Sequence, residues 1–484
     1  MDDLKSKGIS AFIWDFFGKL STQGMGFIVT IFLARLLDPS DFGLIAMIMV
    51  VIGIAQVFTD IGLGGALIQR KKVLPIHYSS VFYFNISIAC ILTAITYFSA
   101  EFIATFYNNE ELIPLTQVIS ILFIISALSS VQAIRLRKQL NYALLTKVRF
   151  ISSMLSGIVG VTLAFYGVGV WSLVAQVISQ GIFYNVMLWK VTVWFPSLNF
   201  SFKALKQLWG FGFRMFLSGL LDAIFTRMDF LIIGKVFPAA TLGYFQRAKS
   251  FNSLVIQYSS GSLMAVMFPV LSKVKNDLPR FQNIILKSLN ILCLVVFLLL
   301  GGLYLTAEEL IVFLFSEKWL PSVKYMELLI LSGFSYPISA LLVNVLSSRG
   351  NSKAFLKLEI IKKLFHSVNF VNAYYYGIES YLIGLIVVAV LGVSANILFA
   401  GKEINLNSSS FIKPIVTQMI VSILAVTLTL QLIELVTVGM LVGFILKAVA
   451  FLFFVFLVNF LINTKSYIEI RELILSFLNR KKYH

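Results

Sequence analysis

The sequence predicts an all-α polytopic membrane protein of about 14 transmembrane helices, built as two six-helix lobes related by a pseudo-two-fold along the membrane normal, with two extra C-terminal helices. Three observations predict it. Of 484 residues, 59% are hydrophobic and only 13% are charged, with a mean hydropathy of +0.91. A soluble domain cannot bury so much apolar surface. Apolar stretches recur at the length of roughly 20 residues that a helix needs to cross a bilayer. Basic and acidic loops alternate between them, the pattern that sets orientation.

The first span, 12–37, carries Asp15, Lys19, Thr22, Gln23, Gly26 and Thr30 on one helical face. The seventh, 208–235, contains WGFGFRMFLSGLLDAIFTRMDFLIIGK, with Arg214, Ser218, Asp222, Thr226 and Asp229 at spacings of 4, 4, 4 and 3. At ~100° per residue such spacing keeps a row on one face. A charge facing lipid costs at least about 2.5–3.5 kcal/mol at a helix centre. Each row therefore faces other helices or water. Trp14-Asp15-Phe16-Phe17-Gly18-Lys19 also resembles Trp209-Gly210-Phe211-Gly212-Phe213-Arg214, which pairs Lys19 with Arg214. The two rows are expected to line one central cavity.

The other spans fall at 42–69, 78–100, 112–133, 145–166, 168–190, 241–268, 282–306, 324–347, 353–374, 378–400, 412–434 and 437–463. Basic loops hold Lys5 and Lys7, Arg70 to Lys72, Arg135 to Lys138, Lys203 and Lys206, Lys273 to Arg280, Arg349 with Lys353 and Lys357, and Lys402 with Lys413. Loops between them hold Asp38, Asp41, Glu101, Glu110, Glu111, Glu308, Glu309, Glu317, Glu379 and Glu434. Both termini are then expected in the cytoplasm.

Leu37-Asp38-Pro39-Ser40-Asp41-Phe42-Gly43-Leu44 after the first span is matched by Phe237-Pro238-Ala239-Ala240-Thr241-Leu242-Gly243-Tyr244 after the seventh. This duplication places lobes at 1–200 and 201–402, an additional helix pair at 403–463 and a basic amphipathic tail at 464–484, lying on membrane lipid. Lys447 is the one deep charge of the extra pair and is expected to snorkel or pack.

The net charge of +17 sits in short loops between apolar spans, so it reports topology and implies no nucleic acid. Cys90 and Cys293 lie inside apolar stretches, which argues against a disulfide framework or a metal site. His77, His366 and His484 are too few and too scattered for a histidine metal motif. Gly62, Gly64 and Gly65 lack the trailing Lys-Ser/Thr of a phosphate loop and are expected to admit close helix approach. Gly24, Gly26, Gly210, Gly212 and Gly219 are expected to let the first and seventh helices bend. No cofactor is implied, and no cleaved signal peptide is read at MDDLKSKG.

Phe32-Leu33-Ala34-Arg35-Leu36-Leu37-Asp38-Pro39-Ser40-Asp41-Phe42-Gly43-Leu44 resembles the N-terminal signature of polysaccharide flippases of the multidrug/oligosaccharidyl-lipid/polysaccharide superfamily. So do Phe58-Thr59-Asp60-Ile61-Gly62-Leu63-Gly64-Gly65-Ala66-Leu67-Ile68-Gln69-Arg70 and Arg227-Met228-Asp229-Phe230-Leu231-Ile232-Ile233-Gly234-Lys235. Leu242-Gly243-Tyr244-Phe245-Gln246-Arg247-Ala248 extends the likeness, which is strong over roughly 1–275 and is nearest to the Wzx-type branch of colanic and teichuronic acid export. The resemblance implies alternating access around a central cavity. It also implies transfer of an undecaprenyl-pyrophosphate-linked oligosaccharide from the inner to the outer leaflet of a bacterial inner membrane.

Such a substrate needs cations for its phosphates and hydrogen bonds for its sugars. Arg offers forked donors and Lys a point charge. The candidates are Lys19, Gln23, Arg35, Arg214, Ser218, Arg227 and Arg247. For Arg35, Arg227 and Arg247 a packing or ion-pairing role competes. Asp222, Asp229 and Asp60 are candidates for proton or sodium coupling. Two other functions stay open. An ion-coupled small-molecule or drug antiporter would have twelve spans and a less cationic cavity. A membrane polysaccharide polymerase or ligase would need a sizeable outer loop with catalytic residues, and 307–323 is short; such a polymerase is instead a possible pathway partner.

Overall fold

A computed structural model describes the backbone of residues 2–435 and 439–480, with side chains outside 2–9, 11–13, 255–266, 473–474 and 476–480. Lys481, Lys482 and His484 lie outside the described residues, as do the side chains of Lys5 and Lys7. Every described element is helical. Ten helices among the described residues are long and apolar enough to cross a membrane. The chain packs as two units, Met1–Gly243 and Tyr244–His484.

The first unit holds α1 (Asp2–Leu36), α2 (Pro39–Ala55), α3 (Leu63–Gln69), α4 (Pro75–Phe98), α5 (Ala100–Tyr107), α6 (Leu112–Ile119), α7 (Leu122–Lys138), α8 (Tyr142–Phe165), α9 (Trp171–Val191) and α10 (Phe202–Val236). Leu63, Val81, Phe82, Val131, Leu205 and Leu208 form a core where α3, α4, α7 and α10 meet. α11 (Ala239–Lys273) starts in this unit and runs into the second.

The second unit continues with α12 (Leu278–Leu305), α13 (Ala307–Phe315), α14 (Pro321–Gly333), α15 (Ser335–Arg349), α16 (Ser352–Glu403), α17 (Ser408–Glu434), α18 (Met440–Ile462) and α19 (Lys465–Arg480). α16 turns at Gly377, whose φ of 89° suits a residue without Cβ, so it covers the two spans expected at 353–374 and 378–400. The spans expected at 168–190, 208–235 and 241–268 are α9, α10 and α11, which are not among the ten. The extra pair α17 and α18 packs on α12 through Leu305, Val421 and Phe451.

The order of elements recurs. α1 and α10 each have 35 residues, and Asp2 and Phe202, like Leu36 and Val236, are 200 apart. A short helix, α5 or α13, follows in each series, then an interrupted one, α6–α7 or α14–α15. Asn141 caps α8 by accepting from Leu144 N at 3.2 Å, and Asn351 caps α16 by accepting from Ala354 N at 3.0 Å.

Span 42–69, expected as one helix, is broken. A 3-10 turn at Gln56–Thr59 leads to Ile61 at φ 41° and Gly62 at φ 70°, and α3 restarts at Leu63. Ile61 is β-branched, and holding it at positive φ costs about 1–3 kcal/mol.

Two buried polar links fix the added helices. Gln418 Nε2 donates to Asn459 Oδ1 at 2.8 Å and Thr464 Oγ1 donates to the same oxygen at 2.6 Å, tying α17 and α18 to the start of α19. Lys447, expected to snorkel or pack, pairs with Glu309 of α13, with both side chains mostly buried.

Candidate functional site

α1 lies along α8 through small residues. A Cβ at Gly18 would collide with Thr146, and one at Gly157 with Val29. Thr146 Oγ1 donates to Trp14 O at 3.1 Å. Such contacts let helix backbones approach in a membrane. The row Asp15, Lys19, Gln23, Gly26, Thr30 lies roughly 70° round the helix from this face. Lys19 is 60% exposed and donates from Nζ to Asp15 Oδ2 at 2.5 Å. Gln23 is half-buried, and Arg35 is exposed at the far end of the helix.

α10 packs on α2 and α3 instead. A Cβ at Gly62 would collide with the Gly212 carbonyl, so the break in the second span is where α10 comes closest. Phe216 meets Phe58 with ring centroids 5.0 Å apart. Arg227 belongs to this packing face: its guanidinium covers Gly53, and its buried Nε has no hydrogen-bond partner among the described residues. The row Arg214, Ser218, Asp222, Thr226 lies roughly 110° round the helix and is exposed, with Asp229 half-buried. Among the described residues neither Arg214 nor Asp222 has an ion-pair or hydrogen-bond partner.

The ends of the two helices lie 200 residues apart, which fixes a register the motif likeness did not give. Arg214 is 12 residues into α10, whereas Lys19 is 17 into α1. On equivalent helices Lys19 is thus offset from Arg214 by about 7.5 Å along the axis.

Asp60 sits at the break. Its Oδ1 accepts from Gly64 N at 2.9 Å, capping α3, and the Asn85 amide and Arg137 are its neighbours. Arg247 is in the second unit, 8% exposed, with its guanidinium 5.9 Å from the Phe315 ring centre and 5.8 Å from that of Trp319.

The motif Pro39 to Gly43 and its counterpart Ala239 to Gly243 meet each other. A Cβ at Gly43 would fall on the Ala239 carbonyl oxygen, and one at Gly243 on that of Pro39. The starts of α2 and α11 therefore cross backbone to backbone, reciprocally. At another corner, Gln207 Oε1 near the base of α10 accepts from Arg70 at 2.7 Å and lies 3.1 Å from His77 Nε2. His77 Nδ1 accepts from Leu74 N, which leaves Nε2 as the donor.

Sequence reasoning missed two sets of residues. Glu359, Lys362, Lys363 and His366 lie on one face of the first half of α16. Their 3-and-4 spacing is the same signal as in α1 and α10, and it falls inside the span expected at 353–374. The Arg70–Gln207–His77 cluster joins positions more than 100 residues apart and leaves no local pattern.

Charged rows on two long helices set this chain among multi-pass, all-helical membrane proteins. A solved structure described as "Lipid II flippase MurJ, inward closed conformation" shares the fold, with a TM-score of 0.70 at 17% identity over 94% of this chain and 100% of that one. The chain belongs to the family described as "Polysaccharide biosynthesis protein", matched over residues 32–324. It is similar to the teichuronic acid biosynthesis protein TuaB of Bacillus subtilis (strain 168), 29% identical over 58% of each chain. It is also similar to the lipopolysaccharide biosynthesis protein WzxC of Escherichia coli (strain K12), 20% identical over 74% of this chain and 73% of that one. The match to TuaB thus spans under two thirds of that relative's length.

Proposed function

We propose that this protein carries an oligosaccharide on undecaprenyl pyrophosphate from the inner to the outer leaflet of a bacterial plasma membrane, for surface polysaccharide synthesis. Both termini are cytoplasmic. Lobes 1–200 and 201–402 alternate access, the pair 403–463 is appended, and 464–484 rests on inner-leaflet lipid. Relatives named for teichuronic acid and lipopolysaccharide biosynthesis, and a fold shared with a lipid II flippase, support this reading. It carries no chemical step: the pathway's bond-making falls to partners such as a polymerase.

The observation that carries the proposal is Arg214, an arginine on a membrane helix with no protein partner among the described residues. An unpaired guanidinium suits a pyrophosphate, which it binds through paired donors. Ser218 and Gln23 offer hydrogen bonds to sugars, and Lys19, held by Asp15, is a second cation. Arg35, Arg227 and Arg247 border the path. Asp222, also unpaired, is the leading site for a proton or sodium ion, with Asp229 and Asp60 behind it. The α2–α11 crossing serves as the outer seal, which parts as substrate leaves. In a strain with the Arg214→Ala protein at wild-type levels, lipid-linked repeat units accumulate on the inner leaflet; normal surface polysaccharide refutes the role.

A further inference from the structure

The first half of α16 carries lysines at 353, 357, 362 and 363 against one acid, Glu359. Lys362 and Lys363 lie about 15 Å along the helix from Ser352, near the middle of a hydrocarbon core about 30 Å thick. Charges at that depth turn toward protein or water. Lys362 lies roughly opposite a row of Leu356, Ile360, Leu364 and Val368 that is 50–70% exposed, with Lys363 at the edge of that row and Lys353 and Lys357 within it near the start of the helix. Lys362 is 22% exposed and pairs with Glu359, while Lys363 and His366 are half-buried.

The second half of α16 folds back on this face. Asn369 Nδ2 donates to Tyr381 O at 3.0 Å, and a Cβ at Gly384 would collide with the Asn369 amide. At Gly392 a Cβ would only touch the Lys362 stem, at 4.0 Å. The hairpin is thus tightest near Gly377, and at Gly392 it is spaced so that an added Cβ would just reach the Lys362 stem.

We propose that Lys362, Lys363 and His366 form a second binding position for phosphate oxygens, in the membrane part of the second unit. It rests on the transport reading above and gives the diphosphate of the carrier lipid a station apart from Arg214. Adjacent ammonium groups suit the clustered charge of a diphosphate, whereas a single sugar carboxylate needs only one of them.

The test uses the full chain in lipid nanodiscs, with farnesyl pyrophosphate as probe and farnesol and glucuronate as controls. K362Q/K363Q weakens farnesyl pyrophosphate binding about tenfold or more and leaves farnesol binding unchanged. K362R/K363R binds within about threefold of wild type. Glu359→Gln, which frees Lys362, tightens binding and decides the matter if the glutamine pair does not accumulate. Unchanged affinity in K362Q/K363Q or in Glu359→Gln, or loss confined to glucuronate, overturns the proposal. If wild type binds and only Arg214→Gln loses affinity, the transport reading stands and this one falls. If wild type does not bind farnesyl pyrophosphate, both fall.

Discussion

α1 and α10 have the same length, occupy the same place in the recurring element order and carry the same kind of polar row, yet they differ in what they touch. α1 lies along α8, and its cation is neutralised one turn away by Asp15. α10 lies across the broken second span, and its cation has no partner among the described residues. Like patterns therefore do not imply like pairing. An ion pair at 60% exposure is screened and worth little, so Lys19 is held loosely. Arg214 is exposed with no such partner among the described residues.

That contrast can be broken by substitution. Arg214→Ala should lower transport about tenfold to a hundredfold, the span expected for losing charge-assisted hydrogen bonds of about 1.5–3 kcal/mol, read as inner-leaflet glycolipid. Equal loss in Lys19→Ala would erase the distinction between the helices. Gly243→Ala or Gly43→Ala should cost about 1–3 kcal/mol, because a methyl meets a carbonyl with no room to yield. Thermal unfolding in detergent reads this, and an unchanged midpoint would mean that the α2–α11 crossing is looser than described. Lys19→Gln should lower transport less than Arg214→Ala, by about threefold or less, with the double variant D15N/K19Q close to wild type. The smallest effect is expected at Gly24 and Gly210, where an added Cβ meets nothing within 4 Å. Alanine there should raise helix stability by about 0.5–1 kcal/mol. If these helices bend as the sequence suggests, transport slows while the unfolding midpoint rises.

Much of this was legible in the residues. Spans and polar rows are periodic, and periodicity survives without knowing what lies opposite. The crossing at Gly43 and Gly243 was visible as a repeated Pro-to-Gly motif, though not that the two copies touch. The break at Ile61–Gly62 was hidden because an isoleucine at positive φ follows from the α10 backbone pressed against it, not from local preference. The motif likeness paired Lys19 with Arg214, but helix ends 200 residues apart displace them, because hydrophobic text tolerates a shift of more than a turn. The Lys447–Glu309 pair links positions 138 apart and could not be read along the chain.

The α2–α11 crossing has no side chains at its centre, only two glycines and two carbonyls. Side chains can be compressed or swapped between rotamers, so joints built from them yield by degrees. Bare main chain gives far less. A methyl group at either glycine would wedge the two strands of main chain apart, so this joint depends on the smallest side chain at both of its centres.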